Sequence, residues 1–211
     1  MSEISERLLL SPGLAINNSQ LIHVHSGDGR VVNTGSRGKR HIVVTPMRNE
    51  EMYVHRCAVS MIEQSIKPEK WIVVDDSSDS KSYDIMKEFA EQNSWIELVK
   101  GTKKGNRGRG KRIAELVNFG LARAPKDWDF LSKIDADIIL PKNYFEMIFS
   151  KFDDDVELGI ASGGCYVPSF FGTKLEKVSP GHTRGALKTY RSSCYSEIGG
   201  IRNVDGWDGI D

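Results

Sequence analysis

The sequence predicts an α/β fold with a largely parallel sheet covered on both faces. Two observations carry this. Short β-branched or apolar runs stand at 41–45, 71–74, 95–99 and 129–134, and each is followed by a stretch with apolar residues at helical spacing. This alternation repeats four times, and the runs are mostly apolar, as strands buried between helical layers tend to be.

The elements follow in order. His41-Ile42-Val43-Val44-Thr45 is a strand by its β-branched content, stopped at Pro46. Glu51 to Ser65 reads as a helix with Val54, Ala58, Met61, Ile62 and Ser65 on one face, and Pro68 ends the unit. Trp71 to Val74 is the second strand and closes on Asp75-Asp76. Ser80 to Gln92 is a helix that presents Ile85, Met86, Phe89 and Ala90, and Trp95 to Val99 is the third strand. Arg109 to Ala124 is a helix carrying Ile113, Leu116, Val117 and Leu121. Asp129 to Ile134 is the fourth strand and runs into Asp135-Ala136-Asp137. Pro141 suits the first turn of a helix that buries Tyr144, Phe145, Ile148 and Phe152. Leu158 to Val167 is expected as the fifth strand, followed by a polar segment to Gly185 and a short helix near Ser192 to Ile198, before Gly199-Gly200. Residues 1–40 lack sustained periodicity and read as an appendage with one hairpin, including a short strand over Gln20 to His25. The main domain is 41–211.

Composition narrows the function. Lys+Arg and Asp+Glu number 29 each, which weighs against nucleic acid as a partner. Three widely spaced cysteines fit neither a zinc site nor a disulfide framework, so a cytoplasmic location is expected, with the cytoplasmic face of a membrane as a variant of it. No apolar run approaches the ~20 residues of a membrane span.

The chemistry gathers at strand ends, where parallel α/β sheets bind ligands. Strand one ends in Pro46-Met47-Arg48-Asn49-Glu50, strand two in Asp75-Asp76-Ser77-Ser78-Asp79, and strand four in Asp135-Ala136-Asp137. Two carboxylates beside so apolar a run need a cationic partner, and a divalent metal takes carboxylate oxygens well. The loop from Lys100 to Arg112 holds seven basic residues, four glycines and no acid, and it opens a helix, so it suits an anion. Gly105 to Lys111 nearly spells a phosphate-binding loop, but Arg112 stands where a magnesium-holding Ser or Thr belongs. His182, in its polar segment, reads as a surface-loop residue.

These motifs, in this order, resemble family 2 of the inverting nucleotide-diphospho-sugar glycosyltransferases, whose fold is the Rossmann-like GT-A type. The resemblance covers about 41–211. It rests on Val43 to Glu50, Val73 to Asp79, Gly110-Lys111 with Asn118, the Asp135-Ala136-Asp137 triplet, and Arg191 to Gly200. It implies that Pro46, Arg48 and Glu50 line a nucleotide pocket and that Asp76, rather than Asp75, bonds the base. It places Lys111 and the loop arginines by the nucleotide or diphosphate. Asp137 would bind Mg2+ or Mn2+, with Asp135 contacting the ribose or a metal-bound water. The donor would be a nucleoside-diphosphate sugar, UDP- or GDP-linked, and the acceptor a glycan, a lipid-linked molecule or a small molecule. The family's acceptor-side Glu-Asp pair is replaced here by Trp207-Asp208. Asp208 is the expected base, then Asp211, then Asp205; Trp207 would be a sugar-stacking wall or a core residue. The chain stops inside this motif, so the domain is expected to be incomplete at its C-terminus. Two alternatives stand beside this reading. One is a sugar-phosphate nucleotidyltransferase, whose type carries a glycine-rich loop after strand one, where Thr45 to Glu51 has no glycine. The other is a non-catalytic nucleotide-sugar-binding module.

Overall fold

The computed structural model describes residues 21–23, 38–77, 79, 81–101, 110–170, 172–177 and 182–204. Its strands are β1 (Leu21–His23), β2 (His41–Met47), β3 (Lys70–Asp75), β4 (Ile96–Lys100), β5 (Phe130–Ile134), β6 (Leu158–Ser162), β7 (Tyr166–Ser169), β8 (Gly172–Leu175) and β9 (Leu187–Arg191). Its helices are α1 (Val54–Ile62), α2 (Lys81–Gln92), α3 (Lys111–Leu121), α4 (Tyr144–Asp154) and α5 (Ser192–Glu197).

Seven strands form one sheet in the order β1-β6-β9-β5-β2-β3-β4. The pairings β2–β3, β2–β5 and β3–β4 are parallel, while β5–β9, β6–β9 and β1–β6 are antiparallel. Strands β2 to β6 therefore share a direction, and β1 and β9 oppose them. The α/β architecture expected from the sequence is present, with the four anticipated strand–helix units in place.

Each sheet face carries its own core. One face packs Val43, Trp71, Val73 and Phe130 against residues of α1, α2 and α4, including Met61, Met86, Phe145 and Phe149. The other packs Val44, Ile72, Val74 and Leu131 against Ala114, Leu116 and Val117 of α3. This two-sided burial explains why the central strands read as largely apolar runs. The proline in β2 is tolerated because pairing with β5 ends at Val44↔Lys133, two residues before Pro46.

The structure corrects the sequence reading in the C-terminal third. The fifth strand stops at Ser162, and residues 166–169 belong to a separate hairpin with β8. The polar stretch near Gly185 leads into β9, a strand the sequence pattern did not suggest, inserted between β5 and β6. The short strand near residue 20 joins the edge of the main sheet beside β6. After α5, Gly199 and Gly200 both hold φ near +75°, a conformation that side chains resist, and this pair reverses the chain.

Candidate functional site

The chain runs outward from β2 through β3 to β4, then returns to place β5 on the other side of β2. A crevice opens where strand order reverses in this way. A cavity of about 300 Å³ lies there, lined by Pro46, Met47, Arg48 and Glu50 after β2, Asp76 after β3, Arg112, Ile113 and Leu116 of α3, and Asp135, Ala136 and Asp137 after β5. Pro46, Arg48, Glu50, Asp76, Asp135, Ala136 and Asp137 are thus brought together. Asp75 and Lys111 lie outside the lining.

Asp75 and Asp76 are adjacent and both buried, yet they are held by different partners. Asp75 accepts from Lys100 Nζ at 2.5 Å and from the Ser77 backbone N–H at 3.1 Å, while Lys100 rests over the Tyr83 ring at 3.8 Å. Asp76 faces the cavity. Its backbone N–H donates to the Met47 carbonyl at 2.8 Å, which ties the ends of β2 and β3 together. Its carboxylate receives Arg112 Nη2 on Oδ1 at 2.5 Å, and Arg112 Nε and Arg48 Nη1 on Oδ2, each at 3.1 Å. The bond to Asp76 is the main influence raising the Arg112 pKa above its ordinary value, so this guanidinium stays charged.

Arg112, one of the loop arginines expected by the nucleotide or diphosphate, lines the cavity, whereas Lys111 at the motif position does not. Successive helical residues face about 100° apart, and the cavity takes Arg112 and Ile113 while Lys111, one step further round, is exposed outside it. The signal was present in the spacing: Arg112 lies four residues before Leu116, on the stripe that also brings Ile113 to the cavity.

The acidic triplet is anchored at Asp135 by two contacts. Asp135 donates its backbone N–H to the Ala186 carbonyl at 2.8 Å. Its carboxylate meets Lys133 Nζ at 2.5 Å, and Lys133, which is fully buried, also donates to the Gly185 carbonyl at 2.8 Å. Part of the cation that the apolar run demanded is therefore a lysine inside the run itself. The Asp137 side chain is exposed to the cavity mouth. Cys57 lies beneath, its thiol pushed up to about 12, first by burial and then by Asp137, Asp135 and Glu50, so it is no nucleophile at neutral pH.

Among the described residues there is no group of three or more His, Cys, Asp or Glu side chains able to hold a metal. The donor set at the triplet nevertheless fits a hard divalent cation. It offers carboxylate oxygen at an open cavity, and such ions complete their shell with water and phosphate oxygens. His182 is half-buried ahead of β9 and is not in the cavity lining. The expected bases Asp208, Asp211 and Asp205, together with Trp207 and loop residues 102–109, lie outside the described residues.

A cavity at the switch point of a largely parallel sheet is where open α/β proteins bind their ligands. The chain belongs to glycosyl transferase family 2, whose model matches residues 42–198. The glycosyltransferase GlyA of Streptococcus pneumoniae serotype 4 is 27% identical over 124 residues, which cover 59% of this chain and 16% of GlyA. A mannosyltransferase from Pyrobaculum calidifontis, solved with GDP-Man and Mn2+, superposes with a TM-score of 0.60 at 18% identity, over 98% of this chain and 55% of that one. TarS of S. aureus, solved with UDP, superposes at 0.53 with 17% identity, over 78% of this chain and 50% of that one. These likenesses show the GT-A fold. The chain spans less than a fifth of the length of GlyA and about half of each solved structure.

Proposed function

We propose that this chain transfers a sugar from a nucleoside-diphosphate sugar to an acceptor hydroxyl with inversion at the anomeric carbon. The observation that carries this reading is the cavity where Arg48, Asp76, Arg112, Asp135 and Asp137 converge from three strand ends and one helix. Related proteins of this fold, solved with GDP-Man or UDP, support a nucleotide-linked donor.

In this reading, Arg48, Asp76 and Arg112 bind and orient the nucleotide end of the donor. Asp135 and Asp137 would hold a divalent cation, Mg2+ or Mn2+, which offsets the charge that builds on the departing diphosphate. The bond from the anomeric carbon to the diphosphate oxygen breaks, and its electron pair leaves with that oxygen. The acceptor oxygen attacks from the opposite face and gives up its proton to a carboxylate. Asp208 is the expected base, with Asp211 next and Asp205 third. The buried, unpaired state of Cys57, Cys165 and Cys194 supports a reducing, cytoplasmic setting. Among the described residues no helix is long and apolar enough to cross a membrane.

A thermal-shift panel of UDP-, GDP-, dTDP- and CDP-sugars, with and without Mn2+, tests the donor site. One nucleotide class should raise the melting temperature, more so with metal, and Asp137→Ala should remove the metal-dependent part. A folded protein that responds to no donor refutes the reading. Pyrophosphate release from a nucleoside triphosphate and a sugar phosphate would instead establish the nucleotidyltransferase alternative.

A further inference from the structure

We infer that the β7–β8 hairpin is a docking element for an anionic lipid surface. The docking goes beyond the donor-site reading and does not depend on it.

Neither strand of this hairpin joins the seven-stranded sheet; they pair with each other, from Tyr166↔Leu175 to Ser169↔Gly172. A two-stranded ribbon is at best marginally stable in water unless it packs on something. This one stays exposed: all four residues of β8 are open to solvent, and so are Tyr166 and Ser169 of β7. Tyr166 and Leu175 stand directly opposite each other, so these two exposed apolar side chains share one face.

The turn carries the stronger signal. Ser169 pairs with Gly172, which leaves two residues of sequence between the strands, Phe170 and Phe171. Two-residue hairpin loops favour Asn-Gly, Asp-Gly or Gly-X. Two phenylalanines meet no such requirement, and Gly172, with φ of +117°, supplies the positive-φ backbone beside them. Phe170 is 95% exposed, the most exposed large apolar side chain among the described residues. A residue that breaks a local rule with no packing gain is expected where function needs it.

The charge behind the tip selects the partner. Lys174 and Lys177 are exposed, and Glu176, the single acid of residues 166–177, is paired with Arg184. Strands rise ~3.3 Å per residue, so Lys174 stands roughly 7 Å behind Gly172. Apolar groups at a bilayer interface sink ~5–10 Å, and lysines at that distance behind them meet anionic headgroups. Interfaces between proteins are instead depleted in lysine near their apolar centre.

The foot of the hairpin adjoins the cavity. The Glu176 backbone N–H donates to the Cys165 carbonyl at 2.8 Å, and the Arg184 backbone N–H donates to Ser162 Oγ at 2.9 Å. The next residue, Gly185, accepts from Lys133, which holds the Asp135 carboxylate. Docking the tip therefore keeps the cavity near the lipid surface. That consequence does rest on the donor-site reading, and among the expected acceptors it favours the lipid-linked class.

Co-sedimentation of the full chain with vesicles of phosphatidylcholine, alone or mixed with phosphatidylglycerol, tests the docking. Binding should appear with phosphatidylglycerol and weaken at high salt. Phe170→Ser should lower it at least about tenfold, and Lys174→Gln about fivefold. Both side chains are exposed, so both variants should keep the wild-type melting temperature and its rise with donor. No binding to the anionic vesicles, or binding that Phe170→Ser leaves unchanged, overturns the inference. A dimer that Phe170→Ser dissociates, with no vesicle binding, assigns the face to a second copy and also overturns it. Failure of the donor-site reading looks different: no nucleotide sugar raises the melting temperature while vesicle binding persists.

Discussion

His41 makes the stability of this fold sensitive to mild acid. The side chain lies at the start of β2, 1% exposed, with its ring edge-on to Phe145 at 4.5 Å and to Phe149 at 5.1 Å. Nε2 bonds Ser132 Oγ at 2.8 Å, and Ser132 Oγ bonds Thr189 Oγ1 at 2.7 Å. Nδ1 has no hydrogen-bond partner. An imidazolium here would bury a charge and leave one N–H unmet, so burial lowers the pKa from 6.5 to about 3. The unfolded chain takes up a proton near 6.5 and the folded chain does not, so stability is full above that pH and falls as pH drops towards 3. Each pH unit in that window costs about 1.4 kcal/mol. From pH 7 to pH 5 this group alone removes about 2 kcal/mol, a large part of a typical 5–15 kcal/mol total. Urea denaturation at both pH values checks it, with His41→Gln as a non-titrating reference so that other groups cancel. The wild-type chain should lose about 2 kcal/mol more than the variant over this interval. Equal losses in the two proteins would refute the buried neutral imidazole.

Two further substitutions probe the packing that positions the site. Thr45→Val keeps the shape of β2 but removes the acceptor for Trp71 Nε1, now 2.9 Å away in a fully buried environment; chemical denaturation should show a loss of about 1–3 kcal/mol. Gly120→Ala places a Cβ 2.7 Å from Val44 Cγ1 and 3.0 Å from Val74 Cγ2, where α3 crosses β2 and β3. Overpacking of about 1–3 kcal/mol should outweigh the helix-propensity gain of about 1 kcal/mol, so the variant should melt earlier than wild type.

The legible part of this sequence is the part buried on two sides. The runs at 42–44, 72–74 and 130–131 show no polar interruption because helices cover both faces, and the helices between them carry clean apolar stripes. Strand β9 escaped because Leu187-Lys188-Thr189-Tyr190-Arg191 holds two cations in five residues and reads as surface, although Lys188 is fully buried. The run from Leu158 to Val167 looked like one long strand because its side chains stay apolar across Gly163-Gly164, where the chain leaves the sheet. At the site, acids at strand ends were visible because carboxylates after apolar runs are costly without a role. The cations that answer them were harder to find. Arg112 is one residue away from the motif position, and Lys133 sits inside a strand where a lysine ordinarily argues for exposure.

That lysine joins the two halves of the site. The sequence pattern leaves 168–185 as loose polar chain, yet its last residues fix the acidic triplet. The Gly185 carbonyl holds Lys133 Nζ, Lys133 holds the Asp135 carboxylate, and the Ala186 carbonyl holds the Asp135 backbone N–H. The segment entering β9 therefore fixes the orientation of a carboxylate that lines the cavity. The same contacts divide the labour within the triplet. Asp135 already has a buried ammonium beside it, so its charge is largely offset before any ligand arrives. Asp137 is the exposed member of the pair at the cavity mouth, and in the proposed reaction it is the carboxylate that would meet a cation.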